Sequence, residues 1–270
     1  MTLIQIDDPG DPRLDRFLRL TDMKLRAARE PVEGIFIAEG RLVIDRALKA
    51  GLEPLAAVAT SKWAVSAQAE LPAPVPIYEL AESDLRELTG FRVHRGALVA
   101  FRRPAQLAVS SLLSSARRVV VLEDLVDHTN VGTIARSAAG LGFDGMIVSP
   151  SCADPLYRRS VKTSMGAVLS LPWSRATDWP GDIAAAREIG FSVVALSPTG
   201  DVPLSALCFT PSDRVALVLG TEGAGLSSAV QTLATHVVSI PMDGGVDSLN
   251  VAVAAGIACY AFRQPLSEAN

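Results

Sequence analysis

The 270-residue chain has little of what several classes of protein require. Its three cysteines, Cys152, Cys208 and Cys259, are far apart in sequence and include no C-x-x-C pair. This spacing argues against a disulfide framework and against a zinc site, and we expect no metal. Aromatic residues account for 5% of the chain, which is too few for a surface that stacks many unpaired bases. A Gly-Lys pair is also missing, so a Walker-type phosphate loop is a weak interpretation.

Long hydrophobic stretches are missing as well. The most apolar run without a charge, residues 248–262, is shorter than the roughly 20 residues that a helix needs to cross a bilayer. Residues 1–11 contain neither the basic segment nor the apolar segment of a secretory signal. These features predict a soluble, cytoplasmic protein with no membrane partner.

The chain has enough hydrophobic residues, 49%, for two modest cores, and its length also favours two domains. An amphipathic helix is predicted over Asp11–Arg29, after which β-like runs alternate with helical runs up to Phe101. We therefore expect a first α/β domain over residues 1–104. The Ser-rich residues 105–115 are predicted to form a linker, followed by a second domain over residues 116–270.

The second domain begins with the β-branched run Val119–Leu122, which is typical of a buried parallel strand. Strands and helices then alternate up to a terminal helix that is predicted to start at Ser248, so we expect a parallel sheet covered by helices. Three polar or Gly-rich segments follow predicted strands: Asn130–Arg136, Leu219–Leu226 and Ile240–Val251. Ligands bind at the carboxyl edge of such a sheet, so these segments form the candidate site.

Taken one at a time, the polar residues of these segments also have structural interpretations. Asn130 and Ser248 could cap helices, Asn250 could support its own turn, and Glu222 could accept backbone amides. Arg136 could be solvated, as arginines within helices usually are. The glycines around Glu222 could serve a tight turn alone. They could also bind a dinucleotide in an oxidoreductase, although their order, G-x-x-G-x-G, and the carboxylate among them disfavour that alternative.

The combination of the three segments is more specific than any single residue. Asn130–Arg136 reads N-x-G-x-x-x-R, Leu219–Leu226 reads L-G-T-E-G-x-G-L, and Ile240–Val251 reads I-P-M-x-G-x-x-x-S-L-N-V. In this order they resemble the motifs of the SpoU (TrmH-type) branch of the SPOUT RNA 2′-O-ribose methyltransferases, and the resemblance covers about residues 116–265.

The first domain shows a looser resemblance. Phe36–Gly40 and Ala47–Gly51 are similar to parts of the ribosomal-protein-like substrate-binding domain that is common in this family. Within the motifs, Thr221 stands where the family often has Asn or Ala, and Ala252 stands where it often has Ser. Neither substitution removes an implied catalytic group.

The resemblance implies a fold and a set of site residues. The fold is α/β, with a C-terminal parallel-sheet domain that contains a deep trefoil knot, and composition alone would not suggest such a knot. The implied cofactor is S-adenosylmethionine, bound by Gly220, Ile240 and Leu249 with Thr221 and Met242 as neighbours. The implied catalytic residues are Arg136, Asn130, Glu222, Ser248 and Asn250. Family members also generally form homodimers and build each active site from two subunits.

The implied activity is methyl transfer from S-adenosylmethionine to a ribose 2′-hydroxyl. Ribosomal RNA is the expected substrate, with transfer RNA as the nearest alternative. A non-catalytic RNA-binding member is a further alternative, against which Arg136, Glu222 and Asn250 argue. Because a guanidinium is a poor general base, we expect Arg136 to bind the phosphate beside the ribose.

The overall charge does not itself indicate an RNA partner, since the formal net charge is −4. Basic residues are nevertheless clustered at residues 11–30, 91–103 and 158–162. These three basic clusters are candidates for contact with phosphate groups.

Overall fold

A computed structural model of the protein describes residues 2–93 and 96–263, which fall into two compact units. The first unit comprises Met1–Ala105 and Leu156–Ser170, and the second comprises Gln106–Pro155 and Leu171–Asn270. This division differs from the predicted one, because the sequence places residues 156–170 in the second domain. The structure packs that segment within the first unit.

The strands of the described residues are β1 (Thr2–Gln5), β2 (Ile35–Glu39), β3 (Pro54–Ala59), β4 (Pro76–Glu79), β5 (Leu98–Arg102), β6 (Arg118–Leu122), β7 (Gly145–Val148), β8 (Trp173–Arg175), β9 (Phe191–Leu196), β10 (Val202–Pro203), β11 (Arg214–Leu219) and β12 (His236–Ser239). The α-helices are α1 (Met23–Glu33), α2 (Arg41–Lys49), α3 (Ser61–Glu70), α4 (Glu82–Thr89), α5 (Val109–Ser115), α6 (His128–Gly140), α7 (Arg158–Thr163), α8 (Gly181–Glu188), α9 (Ser228–Leu233) and α10 (Val251–Ala261). None of these helices is both long enough and apolar enough to span a bilayer.

The first unit contains a five-stranded mixed sheet in the order β1-β4-β3-β5-β2. Strand β5 runs antiparallel to both of its neighbours, whereas β1, β4 and β3 pair in parallel. The apolar side chains of β2 and β5 are buried, and Phe36 stacks on Phe101 with ring centroids 5.5 Å apart. The strands and helices that are predicted to alternate in this part of the chain therefore form an α/β unit with its own core.

The amphipathic helix predicted over Asp11–Arg29 is wrong in its extent. The chain instead forms a 3₁₀ helix over Pro12–Phe17 and then α1. The break follows from capping, because the Asp22 carboxylate accepts a hydrogen bond from the backbone N–H of Leu25 at 3.1 Å and so starts a new helix.

Many cations of the three basic clusters lie beside carboxylates of the first unit. Arg158 and Lys162 both donate to Glu39, at 2.5 and 2.6 Å. Further ion pairs of these clusters are Arg13–Asp11, Arg19–Asp22, Arg26–Glu30, Arg29–Asp15, Arg29–Glu33, Arg92–Glu82, Arg102–Glu53 and Arg103–Glu30. His94 and Arg95, from the second cluster, lie outside the described residues. Local pairing therefore neutralises much of the positive charge that the sequence clusters.

The second unit contains a seven-stranded sheet in the order β10-β12-β9-β11-β6-β7-β8, and every pairing in it is parallel. The parallel sheet predicted for this half of the chain is therefore confirmed. The predicted linker is wrong in part, because residues 109–115 form α5. Val109, Leu112 and Leu113 of this helix are buried in the core that also contains Val119 and Val121. Its Ser residues lie between apolar residues at helical spacing, and that periodicity was the missed signal.

Helix α10 packs against α6, and its C-terminal end is held by a buried arginine. The Arg118 guanidinium donates to the carbonyl oxygens of Phe262 at 2.9 Å and of Thr210 at 2.7 Å, and it also donates to that of Asp213. Burial lowers the pKa of Arg118. This contact joins the start of β6 to the end of the chain's last described helix.

Candidate active site

Four loops meet at the carboxyl edge of the second unit's sheet. Leu219, the last residue of β11, is paired with Leu122 of β6 on one side and with Leu196 of β9 on the other. Val238 of β12 is paired with Leu196 in turn. Because these strands are parallel and in this register, the segments that follow them all begin at the same edge.

A cavity of about 660 Å³ lies among these loops. Its lining includes all five predicted cofactor residues, namely Gly220, Thr221, Ile240, Met242 and Leu249, and three predicted catalytic residues, Glu222, Ser248 and Asn250. Leu196–Thr199 and Gln231 also line the cavity and were not predicted to do so. Residues 197–199 directly follow β9, which ends at Leu196, so the end of this apolar run was the available signal.

The loop at Gly220–Gly225 is a tight turn that needs glycine at its base. The backbone N–H of Gly225 donates to the carbonyl of Thr221 at 3.0 Å, which closes the turn. A Cβ atom at Gly220 would lie 2.4 Å from the carbonyl carbon and oxygen of Gly225, so no larger residue fits there. Gly223 and Gly225 have φ values of 87° and 69°, in the left-handed region that side chains rarely adopt. The turn therefore presents backbone, small side chains and the Glu222 carboxylate to the cavity.

Beside the cavity, three of the predicted catalytic residues form a hydrogen-bonded cluster, which we call the polar cluster: Asn130, Glu222 and Asn250. The Asn130 amide donates to Glu222 Oε1 at 3.0 Å. The Asn250 amide donates to the same Oε1 at 2.7 Å and to Asn130 Oδ1 at 3.1 Å. One carboxylate oxygen thus receives two amide donors, and the second carboxylate oxygen, Oε2, makes no hydrogen bond within the described residues.

Helix capping positions two members of the polar cluster, Asn130 and Asn250. Asp127 caps α6, which places Asn130, 8% exposed, in the first turn of that helix. Asn250 caps α10, and its Oδ1 accepts the backbone N–H of Ala252 at 3.0 Å. The capping roles considered for Asn130 and Ser248 are therefore wrong, and the terminal helix begins at Val251 rather than at Ser248.

Small residues let α10 pack closely against the rest of the second unit. Ala252, Ala255, Ala258 and Cys259 are buried on one side of this helix. Burial raises the pKa of the Cys259 thiol to about 12, so this group is neutral and unreactive at physiological pH. The packed helix gives Asn250 a fixed support.

The structure does not bring the other two predicted catalytic residues into the polar cluster. Arg136 is exposed on α6 and lies six positions after Asn130, which turns it about 120° away around the helix axis. Ser248 is exposed at the cavity. Within residues 2–93 and 96–263, neither side chain has a hydrogen bond or ion pair. The same described residues contain no group of three or more His, Cys, Asp or Glu side chains placed to hold a metal ion.

The chain is similar to a family of known proteins. The sequence model of the SpoU rRNA Methylase family matches residues 117–260. A Mycobacterium bovis protein named uncharacterized tRNA/rRNA methyltransferase is 40% identical over 257 residues, which cover 94% of this chain and 89% of the relative.

Solved structures are similar over nearly the whole chain. The AdoMet-bound rRNA methyltransferase from Sinorhizobium meliloti has a TM-score of 0.82 and 26% identity, covering 96% of this chain and 97% of that one. A structure named RNA 2′-O ribose methyltransferase has a TM-score of 0.76 and 26% identity, with coverage of 96% and 97%.

Proposed function

This chain belongs to the SpoU rRNA methylase family, and we propose that it transfers a methyl group from S-adenosylmethionine to a ribose 2′-hydroxyl of ribosomal RNA in the cytoplasm. The observation that carries this proposal is the polar cluster beside the cavity. It joins one residue from each of the three motifs, so three of the five side chains that the family resemblance assigns to catalysis meet at one place. The names of the similar structures, which specify AdoMet, rRNA and a 2′-O ribose, support the same choice.

The cavity suits S-adenosylmethionine in size and lining. Its volume of about 660 Å³ lies within the range of about 300–1,000 Å³ that is usual for small-molecule sites. Apolar side chains of Ile240, Met242 and Leu249 would hold the cofactor, together with the backbone of Gly220 and Thr221. The bound cofactor supplies a methyl group on a sulfonium centre, which is activated toward an oxygen nucleophile.

The protein's own residues then align the ribose. Arg136 is exposed and unpaired within the described residues, so its guanidinium is available to bind the phosphate next to the target ribose. A guanidinium is a poor proton acceptor, so Arg136 does not take the 2′-hydroxyl proton itself. The phosphate that it binds eases the loss of that proton. The hydrogen bonds among Asn130, Glu222 and Asn250 hold the turn at Gly220–Gly225 beside α6 and the start of α10. Ser248 contacts the ribose. Positioning of this kind supplies much of the catalysis in a displacement reaction.

We also propose that the protein is a homodimer with two-subunit active sites and that the loops at Gly220–Gly225 and Ile240–Leu249 form the trefoil knot. One face of α10 supports the dimer. Val253, Ile257 and Tyr260, at helical spacing, are 52%, 41% and 59% exposed in the single chain. A second subunit would cover them, and it would bring its own Arg136 to the first subunit's cavity.

Calorimetric titration tests the cofactor, and RNA mapping tests the acceptor. We expect S-adenosylmethionine to bind with a stoichiometry of about one per chain and NAD not to bind. Binding of NAD alone would support the oxidoreductase alternative. Comparison of 2′-O-methyl sites in ribosomal and transfer RNA, with and without the gene, should show one lost ribosomal site. A lost transfer RNA site would favour the alternative substrate, and an unchanged map would favour a non-catalytic RNA-binding protein.

Subunit mixing tests the shared active site. Arg136→Ala and Asn250→Ala subunits, each inactive or weakly active alone, should recover activity when they are exchanged into mixed dimers. Recovery is expected because one of the two sites then has an intact Arg136 from one subunit and an intact Asn250 from the other. Activity that equals the average of the two separate variants would contradict the arrangement.

A further inference from the structure

A buried carboxylate that belongs to none of the three motifs lies behind the turn at Gly220–Gly225. Glu123 directly follows β6 and is 4% exposed. Its Oε1 accepts hydrogen bonds from Trp179 Nε1 at 3.0 Å and from Ser227 Oγ at 2.7 Å. Its Oε2 accepts the backbone N–H of Ser227 at 2.8 Å. Three donors therefore converge on this one buried group, as the burial of a charged carboxylate requires.

The contacts of Glu123 lie on both sides of the cofactor turn. Its backbone N–H donates to the carbonyl of Leu219 at 2.8 Å, immediately before Gly220. Its carboxylate holds both the N–H and the hydroxyl of Ser227, immediately after Leu226. Glu123 thus contacts both ends of residues 220–226. Its backbone N–H meets Leu219, which β11 already holds in the sheet, and its side chain meets Ser227.

The turn between these ends is closed on itself. The Gly225 N–H donates to the Thr221 carbonyl at 3.0 Å, and Gly220 lies against the backbone of Gly225, so a shift of Ser227 would be passed to the base of the turn. Such a shift would move the backbone of Gly220 and Thr221 at the cavity, and it would also move Glu222 away from the two amides of the polar cluster. Binding geometry is sensitive to displacements of about 0.5 Å.

We propose that Glu123 is a positioning residue that holds the turn at residues 220–226 in its cofactor-binding conformation. The proposal rests on the proposed binding of S-adenosylmethionine to this cavity. Glu123 itself is not among the residues that line the cavity, so its carboxylate acts through Ser227 rather than by touching the cofactor.

The variant Glu123→Gln tests the role with little change of shape. A glutamine side chain has a single acceptor oxygen, so its NH₂ group would face one of the three donors that the carboxylate now accepts. We expect the Kd for S-adenosylmethionine to rise about tenfold, because a buried donor is left without an acceptor. In the cofactor-free protein, backbone amides of residues 221–226 should exchange hydrogen faster, while those of β6 and β11 should not. Glu188→Gln, an exposed carboxylate of the same unit, is the matched control and should change neither quantity.

Two further variants separate positioning from general stability. Ser227→Ala removes a donor that connects Glu123 to the turn, and with it the oxygen that caps α9 by accepting the N–H of Val230 at 3.3 Å. Trp179→Phe removes a donor to the same carboxylate that has no connection to the turn. Ser227→Ala should weaken cofactor binding about threefold, and the conservative Ser227→Thr should restore it. Trp179→Phe should lower Tm while leaving the Kd within about twofold of the wild type.

The outcomes distinguish this proposal from the proposed function. If the wild-type protein does not bind S-adenosylmethionine, the proposed function fails, and the exchange rates of residues 221–226 alone decide the role of Glu123. If the wild type binds and Glu123→Gln binds equally well, the positioning role is overturned. Equal weakening by Trp179→Phe and Ser227→Ala would overturn it too, since the effect would then not pass through the turn. If Glu123→Gln fails to fold, the comparison of Ser227→Ala with Trp179→Phe still decides.

Discussion

The predicted catalytic residues divide into two groups that differ in how the single chain holds them. The side chains of the polar cluster, Asn130, Glu222 and Asn250, are joined to one another by three hydrogen bonds of 2.7–3.1 Å. Arg136 and Ser248 are exposed and, within the described residues, make no hydrogen bond. The first group is arranged before any ligand arrives, whereas the second has polar atoms available to a ligand or to another subunit. Five residues assigned to one reaction can therefore be tested as two sets with different expected effects.

The largest expected effect comes from Arg136→Ala. If this residue binds the phosphate beside the ribose, kcat should fall about 10³-fold, which is the scale for the loss of one preorganised electrostatic contact. The Kd for S-adenosylmethionine should stay within about twofold of the wild type, because Arg136 does not line the cavity. Single-turnover methyl transfer and calorimetry measure the two quantities, and Arg187→Ala, at an exposed position of α8, is the control. Unchanged turnover would remove Arg136 from the mechanism.

A pair of variants at Glu222 tests whether the polar cluster acts through its hydrogen bonds or its charge. Glu222→Ala leaves the amides of Asn130 and Asn250 without their shared acceptor, and we expect kcat/KM to fall about 30-fold. Glu222→Gln retains one oxygen that can accept both amides, so its loss should be only about threefold. Equal losses in the two variants would show that the negative charge, and not the hydrogen bonding, is what the site requires.

Asn250 joins the polar cluster to helix α10, and variants can separate its two contacts. Asn250→Ala removes the cap, which costs about 1 kcal/mol and should lower Tm by about 2–4 °C for a protein of this size. Asn250→Asp keeps a capping oxygen but places a second carboxylate beside Glu222, so Tm should be largely preserved while activity falls about tenfold. Thermal unfolding and methyl-transfer assays give the two values.

Reactivity of a buried thiol provides a local control for these Asn250 variants. Cys259 lies on α10 with its pKa raised to about 12 by burial, whereas Cys208 is exposed. A thiol reagent at pH 8 should therefore label Cys208 and leave Cys259 unmodified in the folded protein. Labelling of Cys259 in Asn250→Asp would show that α10 has detached, and the loss of activity could then not be attributed to charge repulsion.

The smallest effect is expected for Ser248→Ala. No described contact depends on this hydroxyl, so Tm should not change by more than about 1 °C. Activity should fall by about threefold or less if the hydroxyl makes one neutral hydrogen bond to the ribose. A loss as large as that of Arg136→Ala would show that Ser248 belongs with the essential residues and that the division of the site into two groups is too simple.

Much of this fold could be predicted from local patterns. The β-branched runs at β6 and β11 indicate buried parallel strands, and the alternation with helices predicts the α/β class. Two predictions were wrong for local reasons. The Asp22 cap divides one predicted helix into two, and the short apolar period of residues 109–115 forms a helix where a linker was predicted. The sequence could not predict that Leu156–Ser170 packs in the first unit. Arg158 and Lys162 of this segment pair with Glu39, which lies more than 100 residues away in sequence.

The sequence by itself determined which residues stand at the carboxyl ends of the strands, and thereby the composition of the candidate site. Only the tertiary structure decided which of them touch. Asn130 meets Glu222 across 92 residues and Asn250 across 120, and both contacts depend on the register of β11 against β6 and on the packing of α10 against α6. Glu123 belongs to none of the three motifs and could not be identified as a site residue from the sequence. Its role follows from burial and from three converging donors, which are properties that arise only when distant parts of the chain pack together.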